Sequence, residues 1–131
     1  MKLIVAGMRT FSDYNTVKLE IDRFIDKKNI DKSKLEIVSG NCNGADRLGE
    51  RYGRENNIPI RTFPAQWSKY GKSAGPMRNK AMAEYAKDDG YLIVFWDGKS
   101  RGTQSMLYEA SNAGLPYKIV FVNEGKEFDS E

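Results

Sequence analysis

Four short segments of this chain carry the residue types that hold anions. They are Gly7-Met8-Arg9-Thr10, the run from Ser39 to Asp46 ("SGNCNGAD"), Pro76-Met77-Arg78-Asn79, and Ser100-Arg101-Gly102-Thr103. In "SGNCNGAD", Ser39 and Gly40 close an apolar run and Gly44 opens a helical pattern. That arrangement predicts free amide groups and the positive end of a helix dipole at one point, a natural seat for phosphate. Asp46 falls in the first helical turn, where its carboxylate favours the dipole or bonds a ribose hydroxyl. The last segment repeats the device: Gly102 lets backbone approach a ligand, and Thr103 offers a hydroxyl, either to phosphate or as an ordinary helix cap. Arg78 and Asn79 are predicted in the first turn of a helix, where a cation opposes the dipole. A fork-shaped donor makes better sense there facing a phosphate or carboxylate. Arg9 and Thr10, after the first apolar run, offer the same chemistry.

Composition removes many alternatives. The 131 residues contain no histidine, so Ser-His-Asp and Cys-His mechanisms are excluded within the chain, as are the usual His-containing zinc sites. Acid–base work falls to carboxylates, Lys, Tyr or the substrate. No metal or cofactor is expected. The one cysteine, Cys42, excludes an internal disulfide, fits a reducing cytoplasm, and lacks the partner a nucleophile needs. A net charge of +3, spread along the chain, is a weak argument for nucleic acid. No apolar run approaches the roughly 20 residues that cross a bilayer. The N-terminus reads as a strand and not as a signal peptide. Asp97, after the most apolar run, is a hydroxyl binder, a base, or the side chain of an Asx turn into Gly98. Trp67, Trp96 and Tyr70 could stack on a base, with Trp67 best placed because it falls in a predicted loop.

The elements that must position these residues follow from periodicity. Lys2 to Gly7, "LEIVSG", "IPIRTFP", "YLIVFW" and "YKIVFV" read as five strands. Helices are predicted over Tyr14 to Lys28, Gly44 to Asn57, about Pro76 to Lys87, and from "DGKSRGT" to Asn112, where Gly114 and Pro116 stop the last one. Strands alternating with helices predict an α/β fold of three layers, Rossmann-like, with a mainly parallel five-stranded sheet. Right-handed crossovers give the order 3-2-1-4-5. The chain then reverses direction between strands 1 and 4, and ligands of open α/β sheets bind outside the carboxyl ends of strands at such a point. Residues 1–123 are expected to form one domain, and 124–131 a polar tail.

The segments "SGNCNGADRLGE", "GPMRNKAMAEYA" and "WDGKSRGTQSMLYEASNAGLP" resemble the SLOG superfamily in order and spacing. That Rossmann-like group includes the DNA-processing protein A (Smf) family and the LOG phosphoribohydrolases. With "GMRTFSDY" and "FPAQWSKYGKSAGPMRN", the chain looks most like the small YspA branch, the DUF2493 proteins, from about Lys2 to Val122. The resemblance implies a nucleotide-binding sheet edge with ligand contacts from Gly7, Arg9, Thr10, Ser39, Gly40, Gly44, Asp46, Arg78, Asn79, Gly102 and Thr103. It also implies subunits that pair. The departures are specific. LOG hydrolases carry "PGGxGTxxE" with a catalytic glutamate; here the run is "GKSRGT", and Met106 stands three residues after Thr103, with Glu109 one helical turn further on. Arg78 does resemble the arginine of the hydrolase pattern "RKxxM", with Met82 nearby, although Asn79 stands where that pattern has lysine.

Three readings result. The first is a cytoplasmic domain that senses or sequesters a nucleotide or nucleotide-derived molecule. The second is a nucleoside 5′-monophosphate N-glycosidase, with catalytic candidates Arg78, Asp46, Asp97 and Glu109. The third, and least favoured, is single-stranded nucleic-acid binding through Lys69, Lys72, Lys80, Lys99 and Arg101 with Trp67 stacking.

Overall fold

The computed structural model describes residues 1–122, so the expected tail at 124–131 lies outside the described residues. Five strands, β1 (Lys2–Gly7), β2 (Glu36–Ser39), β3 (Ile60–Thr62), β4 (Gly90–Trp96) and β5 (Tyr117–Phe121), form one sheet in the order β3-β2-β1-β4-β5. Every pairing is parallel. The α-helices are α1 (Tyr14–Lys28), α2 (Ala45–Glu55), α3 (Trp67–Tyr70), α4 (Ala74–Ala86) and α5 (Arg101–Ala113).

Period-two alternation sorts the sheet side chains into two cores. Leu3, Val5, Ile37, Ile93 and Phe95 face one way, against Val17, Ile21 and Phe24 of α1 and Tyr52 of α2. Ile4, Val38, Leu92 and Val94 face the other way, against Met82 and Ala86 of α4 and Met106 and Ala110 of α5. The predicted three-layer architecture and strand order are therefore those observed. Leu92 to Phe95 are fully buried, as a central strand covered on both faces requires. Local signals set the helix ends. Asp13 accepts from the Thr16 amide at the start of α1, and Gly114 turns left-handed at φ 73 to end α5.

Two expectations need correction. The predicted loop after β3 contains the short helix α3 and a 3-10 turn at Gly71–Ser73. In addition, α4 begins at Ala74, not Pro76. The first amides of a helix have no intrahelical acceptor, so proline fits the third position as well as the first. Arg78 is consequently the fifth residue of α4, past its first turn.

Strand β1 pairs with β4 along its whole length, with Gly7 opposite Phe95. Their carboxyl ends open between the helices of the two layers, and this is the point where the chain changes direction across the sheet. Among the described residues, no helix is long and apolar enough to cross a membrane.

Candidate functional site

A cleft of about 390 Å³ lies at that point. Gly7, Arg9 and Thr10 enter it from the end of β1, Asp46 from α2, Arg78 and Asn79 from α4, and Gly102 and Thr103 from α5. Eight of the predicted binding residues thus meet in one place, although they come from four separate stretches of sequence.

The junction between β2 and α2 is tied up by the protein itself. The Ala45 amide donates to the Met8 carbonyl at 3.1 Å. The Asn41 amide donates to the Ser39 hydroxyl at 3.0 Å, and the Cys42 amide to Oδ2 of Asp46 at 3.2 Å. Gly44 has φ +83, and a Cβ there would collide with the Met8 carbonyl oxygen. Its glycine admits the chain leaving β1. Ser39 is fully buried and donates to Oε2 of Glu50 at 2.7 Å. Neither Ser39, Gly40 nor Gly44 lines the cleft. The anion seat expected at this junction is therefore filled, for these amides, by the protein's own acceptors.

The junction between β4 and α5 differs. Oδ1 of Asp97 accepts from the Lys99 and Ser100 amides, both at 2.8 Å, so Asp97 forms the Asx turn that shapes this loop. The Trp96 indole donates to the Ser100 carbonyl at 3.0 Å and stacks on Phe121, a structural role in place of base stacking. Ser100 caps α5, leaving Thr103 as the third helical residue and not the cap. Thr103 is 3% exposed, yet its hydroxyl has no hydrogen-bond partner. A Cβ on Gly102 would meet nothing within 4 Å. An orphaned buried hydroxyl beside open space, in the first turn of a 13-residue helix, is the local chemistry of an anion site. Neither Asp97 nor Glu109 lines the cleft.

Arg78 spans the two junctions. Its Nη1 donates to the Gly40 carbonyl at 2.6 Å and lies 3.6 Å from the Cys42 sulfur, while Nε donates to Asn79 at 2.9 Å. Asn79, 5% exposed, donates in turn to the Ser105 hydroxyl at 3.1 Å. A chain of contacts thus runs from the end of β2 through α4 to α5. Gly40 makes this possible: a Cβ there would sit 2.6 Å from Nη1 of Arg78 and 2.8 Å from Oδ2 of Asp46. Burial pushes the Asp46 carboxyl up to about 6, against the lowering pull of the Cys42 amide and the Arg78 guanidinium. A carboxyl poised near neutrality in a cleft can donate or accept a proton.

Trp67 lines no part of the cleft; the Arg9 guanidinium lies 5.6 Å from its ring centroid, so it positions an arginine that does. Sequence reasoning missed the apolar floor of the cleft, Met8, Met82 and Met106. All three are buried; the sequence placed Met8 in the first anion-type segment, Met82 beside the hydrolase-like arginine and Met106 where the hydrolases have glutamate, with no lining role for any of them. Cys42 and Ser100 also line it; both sat within segments already singled out. Among the described residues, no group of His, Cys, Asp or Glu could hold a metal.

A family model described as the YspA, cpYpsA-related SLOG family matches residues 1–70. That match spans β1 through α3 and includes the Gly7–Thr10 and Ser39–Asp46 segments. The chain is also similar to Gene 61 protein of Mycobacterium phage D29, at 30% identity over 120 residues, covering 88% of this chain and 92% of that protein. No solved structure matches at a significant level.

Proposed function

Because the chain belongs to the YspA, cpYpsA-related SLOG family, with its nucleotide-related roles, we propose that the cleft binds a phosphate-bearing nucleotide or nucleotide derivative. The reading rests on the buried, unpartnered Thr103 hydroxyl at the N-terminal turn of α5. Phosphate sits on that turn and draws the Thr103 hydroxyl and the cations Arg9 and Arg78. The sugar lies toward Asp46, whose carboxyl accepts from ribose hydroxyls when ionised. Sensing or sequestration is favoured over turnover, because Met106 occupies the place of the hydrolase glutamate.

Isothermal titration of nucleoside 5′-monophosphates, with the matching nucleosides as controls, tests this. Thr103→Val is expected to weaken monophosphate binding about tenfold, the worth of one hydrogen bond to a charged group, with little effect on stability. Nucleosides binding as tightly as their monophosphates, or a Thr103→Val protein that binds normally, would overturn the phosphate assignment.

One observation favours a second reading, hydrolysis of the N-glycosidic bond: the Asp46 carboxyl held near 6 at the cleft wall. In that reaction the bond from C1′ to the base breaks with its electron pair going to the base, protonated Asp46 gives the base its proton, and the water that adds at C1′ passes its own proton back to the Asp46 carboxylate. The same incubations assayed for free base decide the matter. Release lost in Asp46→Asn supports turnover, and no release leaves binding as the function.

A further inference from the structure

A second cavity, of about 430 Å³, opens beyond the cleft, between the end of β3 and the outer face of α4. Arg78 lines both. The two spaces differ in chemistry. The cleft carries two arginines, a carboxyl and hydroxyls, whereas the groove is walled by Phe63, Pro64, Tyr70, Met77 and Ala81. Tyr70 is 40% and Met77 46% exposed, so flat and polarisable surface is left uncovered here. Phe63 is fixed in place: its ring lies 5.4 Å from that of Tyr85, and the Arg61 guanidinium sits over both. The polar side chains Thr62 and Gln66 also line the groove, offering a hydroxyl and an amide that can both give and accept hydrogen bonds.

We infer that this groove is the base subsite of the ligand whose phosphate occupies the cleft, a conclusion that rests on the phosphate reading above. Flat apolar walls with a few polar side chains suit a planar heteroaromatic ring, which needs stacking on its faces and hydrogen bonds at its edge. Continuity through Arg78 selects the base over an independent occupant. Among the described residues Arg78 is the one that lines both spaces, so a ligand with its phosphate on the α5 turn and its sugar by Asp46 that extends past Arg78 enters the groove. The planar guanidinium at the boundary can stack on a ring or bond an anion, a combination lysine lacks. On this assignment the groove sets which nucleotide is bound, and the cleft sets only that a phosphate is.

Ribose 5-phosphate and the four common nucleoside 5′-monophosphates, titrated against the whole chain, test the assignment. The best monophosphate is expected to bind at least tenfold more tightly than ribose 5-phosphate. Ala81→Trp, at an exposed helix position, fills the groove without touching the cleft. It should remove that advantage while leaving ribose 5-phosphate affinity unchanged. Met77→Ser, which strips one wall, should lower the advantage severalfold and provides a second reading with no added bulk. Equal affinities for ribose 5-phosphate and every monophosphate, or an advantage that survives both substitutions, would overturn the base subsite and leave the phosphate reading standing. Failure of both ligand types to bind would remove the phosphate reading, and the base subsite with it.

Discussion

Two strand-to-helix junctions flank the cleft, and they invert what their sequences suggest. "SGNCNGAD" has two glycines and two asparagines, and looks like the better phosphate loop. Yet its Ala45 amide is held by the Met8 carbonyl and its Cys42 amide by Asp46. "DGKSRGT" looks plainer, yet it presents an open Gly102 and an unpartnered Thr103 hydroxyl. A glycine reports that something comes close to the backbone, without saying whether that is a ligand or the chain itself. At Gly44 it is the chain leaving β1.

Substitutions at the two junctions sharpen the contrast. The largest effect is expected at Gly44→Ala, where left-handed backbone and overlap with the Met8 carbonyl combine. A loss of about 4 kcal/mol in urea unfolding is expected, and a loss under 1 kcal/mol would show that the junction yields easily. Next comes Asp46 on the same side. Its folded carboxyl titrates at about 6 against an ordinary 3.8, so between those values the folded state holds the proton more tightly than the unfolded one. This group's contribution to stability is therefore complete below about pH 4, falls as pH rises through 6, and is flat above. The drop is about 3 kcal/mol. The difference between the wild-type protein and Asp46→Asn in unfolding free energy, measured from pH 4 to 7, should trace that curve; a constant difference would place Asp46 in a wetter setting. The smallest effect belongs to the open junction. Gly102→Ala removes backbone freedom from a helical turn where a Cβ meets nothing, so stability should rise by about 0.5 kcal/mol. Monophosphate binding should fall because the new methyl enters the cleft, and the comparison fails if binding is untouched while stability drops.

The fold was readable in the sequence because its signals are collective. The continuous run Leu92–Phe95 marks a strand covered on both faces, the spacing of Val17, Ile21 and Phe24 marks a helix, and right-handed crossovers then leave one economical strand order. Single-residue signals were weaker. Pro76 fits any place in a first helical turn, so it could not set the start of α4. Trp67–Tyr70 is too short to show a period. In the site, the segments that contribute were visible, but the roles within them were not. Ser39 and Asp97 were candidates for a ligand, and their oxygens bond within the protein, to Glu50 and to the Lys99 and Ser100 amides. Met106 stood out only as a departure from the hydrolase motif, and it is also cleft floor. The hydrogen bonds that fix these roles join residues that are neighbours only after folding, as Arg78 and Gly40 are.

The Arg78 bond to the Gly40 carbonyl has a thermodynamic corollary. An arginine side chain free in solvent gives up about 2 kcal/mol of rotamer entropy when it is immobilised. Here much of that loss is incurred as the chain folds, because the Gly40 carbonyl and the Asn79 side chain hold the guanidinium through bonds made within the protein itself. A guest arriving at such a wall meets a group already in place, so the free and occupied forms should superimpose closely around α4.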